Sequence, residues 1–90
     1  MGSVADKLRE KLQQGLAPQR LDIVDDSARH AGHRPDHLEG ESHFNITIVS
    51  PAFAGLSRVE RQRRVYALLA EELAGPVHAL QLTALAPGED

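Results

Sequence analysis

Ninety residues with a formal net charge of −3, 41% apolar and 3% aromatic, with no cysteine, describe one small domain with an aliphatic core. A chain this short buries only about 60–65% of its unfolded surface, which one small sheet and two helices can supply. The composition excludes disulfides, thiolate metal ligands and cysteine nucleophiles and suits a reducing compartment. The longest apolar run, Val65 to Ala70, is far too short to span a bilayer, and the N-terminus lacks a signal peptide's charged-then-apolar layout. The expectation is a non-membrane protein of the bacterial cytoplasm, with an organellar matrix as the alternative.

In chain order, Ser3 to Leu16 reads as a helix: Val4, Leu8, Leu12 and Leu16 recur every fourth residue, Ser3 and Asp6 can cap the start, and Gly15 and Pro18 bracket the end. In Arg20 to Asp26, Leu21 and Ile23 alternate with Arg20 and Asp22, the pattern of a half-buried strand, and Asp25, Asp26 and Ser27 are turn residues. Residues 27–41 have no apolar period and hold Gly32, Pro35 and Gly40 with three histidines, His30, His33 and His37. A loop this long in so small a domain is a candidate functional segment. Ser42 to Ser50 is the clearest strand, with Phe44, Ile46 and Ile48 on one face and His43, Asn45 and Thr47 on the other. Pro51 ends it, and PAFAG can hold a short helical turn.

The longest periodic stretch follows, Ser57 to Ala74. Val59, Tyr66, Leu69, Ala70 and Leu73 share a stripe that Val65 and Leu68 widen, with Arg61, Arg64, Glu71 and Glu72 opposite and Arg63 near the boundary. Ser57 and Glu60 form a capping box, and Gly75, in a left-handed conformation, and Pro76 are expected to stop the helix. Val77 to Leu85 reads as a strand, with His78 near its start, and residues 86–90 as a frayed tail. The order is helix, strand, strand, short helical turn, helix, strand. Two strands joined by a loop pair antiparallel, and a helical crossover returns the third to the same sheet. The expected fold is one α+β domain over 1–90, a three-stranded mixed sheet with its helices packed on one face.

The stretch from Glu41 to Leu82 resembles the BolA family. The matching pieces are ESHF, a strand ending in VS, an FxG step, an arginine-rich stretch, and LAEEL followed by VHAL, in that order. The resemblance implies a type II KH-like fold without the GxxG loop, where this chain has Gly55-Leu56-Ser57-Arg58. It implies a heterodimer with a monothiol glutaredoxin that shares a [2Fe–2S] cluster bound also by glutathione, and, for bacterial members, stress-responsive transcription regulation. It makes His78, the histidine of VHAL, one ligand. The second comes from the loop between the first two strands as Cys or His, and here only histidine can serve: His30 by its distance from the first strand, His33 as its competitor, His37 less well placed. Many members carry Arg-His-Arg where this chain has Arg61-Gln62-Arg63, so any role of that histidine is lost.

Neutral imidazole is a borderline ligand suited to iron. Two histidines on one iron, with thiolates on the other, give a Rieske-like set with a raised reduction potential and pH-sensitive binding. Alone, a loop histidine is ordinarily solvated, and His78 could be a hydrogen-bonded edge residue; His43 beside Phe44 reads as structural. Beyond residue 45 every basic residue falls in one cluster, Arg58, Arg61, Arg63 and Arg64. At a helix start such a cluster can grip phosphates or simply face solvent. Four phosphate contacts imply a log–log salt slope of about −3.5. The chain lacks exposed aromatics for base stacking and any recognisable nucleophile or acid–base motif. The reading is a non-enzymatic adaptor in iron homeostasis, cluster trafficking or stress response, a monomer or weak homodimer when free. The alternative is a DNA-binding transcriptional regulator acting through the arginines.

Overall fold

The computed structural model describes residues 3–25 and 43–90. Helix α1 (Val4–Leu16) leads into strand β1 (Arg20–Asp25); β2 (His43–Val49), a 3₁₀ turn (Pro51–Phe53), α2 (Arg58–Leu68), α3 (Ala70–Ala74) and β3 (Ala79–Leu85) follow. The sheet order is β1-β2-β3, with β1 antiparallel and β3 parallel to β2. The domain is α+β with a mixed sheet, as the order of elements predicts.

Each boundary has a local cause. Ser3 Oγ accepts from the Asp6 amide at the start of α1. The Ser57–Glu60 capping box forms as expected, the Ser57 amide donating to Glu60 Oε1 (2.8 Å) and the Glu60 amide to Ser57 Oγ (3.2 Å). Phe44, Ile46 and Ile48 of β2 are buried with Leu8, Leu12 and Leu16 of α1 and Val65 and Leu69 of the α2–α3 segment. Full burial of each such side chain contributes about 1.5–3 kcal/mol. The other sheet face is mostly polar: Asp22, Asn45, Thr47, Gln81 and Thr83 alternate outward with Val24, and Asn45 Nδ2 donates to Gln81 Oε1. Ser50 is the joint between layers. Its amide donates to Leu85 O, its hydroxyl to Leu16 O (2.5 Å), and its Oγ accepts from the Ala52 amide.

Several sequence-based expectations are corrected. The predicted 57–74 helix is interrupted at fully buried Leu69 (φ −102°, ψ 17°), although Leu69 N–H still donates to Val65 O and Leu73 N–H to Leu69 O. The buried stripe centres on Val65, Leu69 and Glu72, so Val59 is 54% exposed, Ala70 is exposed, and Glu72 is buried rather than solvated. Glu71 and Glu72 also converge on one cation, Lys11 Nζ, at 2.9 and 2.8 Å. That ammonium compensates the buried carboxylate and holds Glu71 below the usual carboxylate range. Gly75 sits at φ −116°, outside the left-handed region. The left-handed helix end belongs instead to Ala17 (φ 45°), whose amide donates to Gln13 O. The 86–90 segment, expected to fray, is tied back: Ala86 is buried, and Glu89 bonds both Ala86 and Arg61.

Candidate ligand site and arginine face

The sheet register decides what can meet at its open end. Asp25 lies opposite Phe44, and Phe44 opposite Leu80, so the chain leaves the sheet at β1 and re-enters at β2 in neighbouring rows. His43 opens β2 opposite Ala79, the first residue of β3. His78 directly precedes Ala79, at the same end of the sheet as both anchors of the 26–42 connection. Adjacent strands lie about 4.8 Å apart, so His78 sits about one strand spacing from the return of that connection.

The backbone beneath His78 is pinned on both sides. Glu72 O accepts from the amides of Gly75 (3.2 Å) and Val77 (2.9 Å), and the Val77 side chain is plugged into the core at 3% exposure. On the other side β3 is paired along its length. An inward Val77 next to a paired Ala79 leaves His78 outward: it is exposed and makes no hydrogen bond or ion pair to the other described residues. Sequence spacing placed His78 near a strand start; the clamp formed by Glu72 O and Val77 is a tertiary feature it did not reveal.

His30 and His33 lie outside the described residues, as does His37. Distance does not separate the candidates. His30 is five residues past Asp25 and His33 eight, reaches of at most about 17 and 27 Å, against about 10 Å across two strand spacings. His43, half-buried at the head of β2, is held by contacts of its own. Among the described residues no three His, Asp or Glu side chains cluster to hold a metal. The donor set fits a shared cluster in one respect: this chain offers a presented imidazole and no thiolate.

The arginines divide. Arg58, Arg63 and Arg64 are exposed on α2, and Arg63 and Arg64 lie near enough to Glu60 to help hold its carboxyl down, after the dominant hydrogen bonds from Ser57. Arg61 does not face solvent, contrary to the helical-wheel reading. One turn before Val65, it lies toward the packed side; its side chain is 13% exposed, donating to Leu56 O, Ala84 O and Glu89. Arg63, placed near the boundary of the apolar stripe by its spacing, is exposed. Three arginines rather than four are available, which lowers the expected salt slope to about −2.7.

Against known proteins, the family model described as BolA-like protein matches residues 12–89. The chain belongs to the BolA-like family. It is 43% identical over 88 residues to a Sinorhizobium protein described as lying in the cobS 5′ region, covering 97% of this chain and 95% of that one. The solved structure of Arabidopsis thaliana BolA1 superposes with a TM-score of 0.87 at 41% identity, covering 100% of this chain and 99% of the other. The BolA domain of Arabidopsis SufE1 gives 0.85 at 46% identity, with the same coverage. This BolA-like chain spans 54% of the full chloroplastic BOLA1 and 25% of the full SufE-like protein 1. Among the described residues no helix is long and apolar enough to cross a membrane.

Proposed function

We propose that this BolA-like protein is a non-enzymatic adaptor that binds a monothiol glutaredoxin and completes a [2Fe–2S] site with histidine ligands. The observation that carries the reading is the position of His78: an outward imidazole with no partner among the described residues, on a hydrogen-bonded strand entrance, at the sheet end where the histidine-bearing connection begins and ends. His78 and one of His30 and His33 would hold one iron, with the remaining ligands coming from the glutaredoxin cysteine and glutathione. The cluster would supply one-electron redox chemistry at a potential raised by histidine ligation. The chain's own part is to present neutral imidazoles and exclude tighter thiolate capture, which keeps the site exchangeable and pH-sensitive. Iron sensing, cluster trafficking or stress response are the roles this chemistry serves.

The test is a titration of the apo chain into a cluster-loaded monothiol glutaredoxin, followed by visible circular dichroism. The expected result is a new spectrum at one equivalent, lost in His78→Ala. An unchanged response in that variant overturns the ligand role.

A second reading, DNA-binding regulation, rests on the exposure of Arg58, Arg63 and Arg64 along one helix. It requires affinity for duplex DNA that falls with salt at the slope of about −2.7 that three phosphate contacts give, and a flat salt response removes it.

A further inference from the structure

Arg61 is held in place by groups independent of any ligand. Its Nε donates to Leu56 O and its Nη1 to Ala84 O, each at 3.0 Å. The remaining donors point to one spot, where the Glu89 carboxylate sits: Nη1 donates to Oε1 (2.6 Å), Nη2 to Oε2 (3.0 Å), and the Ala86 amide to Oε1 (2.9 Å). A guanidinium fork fixed by two carbonyls and joined by a backbone N–H is a preorganised oxyanion receptor. Glu89 reaches it through a tight turn, its amide donating to Ala86 O and Gly88 at φ 93°. Those same donors hold the Glu89 carboxyl down at about 2.

The surroundings favour anions. Arg58, one turn earlier on α2 and exposed, lines a groove of about 380 Å³ with Gln62, Tyr66, Leu82 and Ala84, and among the described residues no acidic side chain lines it. Ala84, whose carbonyl anchors Arg61, also lines this groove, so the receptor adjoins it at the β3 edge.

We propose that Arg61 and the Ala86 amide form an oxyanion cradle that Glu89 fills in cis and that a backbone phosphate of bound nucleic acid fills when the tail turns away. The proposal rests on the nucleic-acid reading of α2. A tethered carboxylate is present at millimolar effective concentration, so an isolated anion competes poorly. A polyanion gripped at once by Arg58 and Arg64, which flank Arg61 one turn before and one turn after it on α2, displaces it, and Glu89 thus selects polymers over free phosphate.

The experiment uses the full chain, Glu89→Ala, Glu89→Gln and the double variant Arg61→Gln/Glu89→Ala. Inorganic phosphate is titrated while the Ala86 amide and Arg61 Nε–H are followed by ¹H–¹⁵N NMR. Glu89→Ala shifts both signals saturably, the parent needs about tenfold more phosphate, Glu89→Gln falls between them, and the double variant does not respond. A duplex of DNA titrated between about 50 and 200 mM salt should bind Glu89→Ala more tightly than the parent at the same slope, because a phosphate fills the cradle in both, and the double variant with a slope shallower by about 0.9. No saturable phosphate shift in Glu89→Ala, or one that survives Arg61→Gln, overturns the cradle even if the parent binds duplex through its other arginines. A phosphate response without duplex binding by any variant overturns the nucleic-acid reading and with it the proposed ligand.

Discussion

A Cβ placed on Gly15 would lie 2.7 Å from Cδ1 and 2.8 Å from Cδ2 of Leu68. The close approach of α1 to α2 therefore depends on a missing methyl group. Gly15→Ala gains up to about 1 kcal/mol of helix propensity and forces Leu68 off its rotamer at about 0.5–1.5 kcal/mol. The two effects oppose, and the variant should denature in urea within about 1 kcal/mol of the parent. In a Leu68→Ala background the obstacle is gone and Gly15→Ala should stabilise by up to about 1 kcal/mol. Additive effects across the four proteins would refute the contact.

Ala17 ends α1 with φ 45° and ψ 58° on an exposed position. A left-handed L-residue costs about 1–2 kcal/mol that glycine avoids. Ala17→Gly should therefore raise stability by about 1 kcal/mol, despite adding a second glycine near a helix end. A lower melting temperature in the variant would contradict this conformation.

Ser50 is fully buried, and its hydroxyl serves Leu16 O and the Ala52 amide together. Removing it strands a buried carbonyl, a loss of about 1–3 kcal/mol. Ser50→Ala should show that loss in chemical denaturation, while Thr83→Ala on the open sheet face should stay within about 0.5 kcal/mol of the parent.

Glu89 should titrate near 2 rather than near 4.5, chiefly because of the Arg61 guanidinium and secondarily the Ala86 amide. For an acid with a depressed folded-state value, the stabilising contribution is present above the unfolded value and lost as pH falls through the folded one. The tail contact should therefore hold at neutral pH, weaken below about 4.5 and be gone below about 2. Carboxyl ¹³C shifts of Glu89 report this directly. In Arg61→Gln the midpoint should climb toward 4.5; a midpoint unmoved by that substitution would assign the depression elsewhere.

Single substitutions should sort the histidines by their effect on the glutaredoxin-induced spectrum. His78→Ala should abolish it, and one of His30→Ala and His33→Ala should match that loss while the other leaves the spectrum intact. Equal retention in both loop variants would mean that neither loop imidazole is a ligand.

Local chemistry was legible in the chain. The Ser57–Glu60 box, the Ser3 cap and the alternation through β2 each depend on residues within a few positions of one another, and each formed as read. What escaped depends on neighbours distant in sequence. A helical wheel gives relative angles but not which side faces the sheet. Val59 and Glu72 were therefore assigned to the wrong sides, and Glu72 is tolerable in the interior only because Lys11, 61 positions away, meets it. Arg61 was read as solvated for the same reason, since its partner Glu89 lies 28 residues on, in a tail whose composition resembles a disordered end. Of the proposed ligand site, the chain offered His78 and the loop histidines as candidates; that the sheet gathers the ends of the 26–42 connection and His78 at one end follows from the antiparallel-then-parallel pairing.

That pairing separates two properties of the molecule. Because Asp25 and Phe44 are opposite one another, the intervening chain starts and finishes on the same doorstep whatever its length. Doubling the length of such a connection costs only about 0.6 kcal/mol in closure entropy. Insertions and deletions between positions 26 and 42 can thus change which side chains that segment offers, leaving the scaffold's registry and cohesion untouched, so evolution can edit the connection without rebuilding the body.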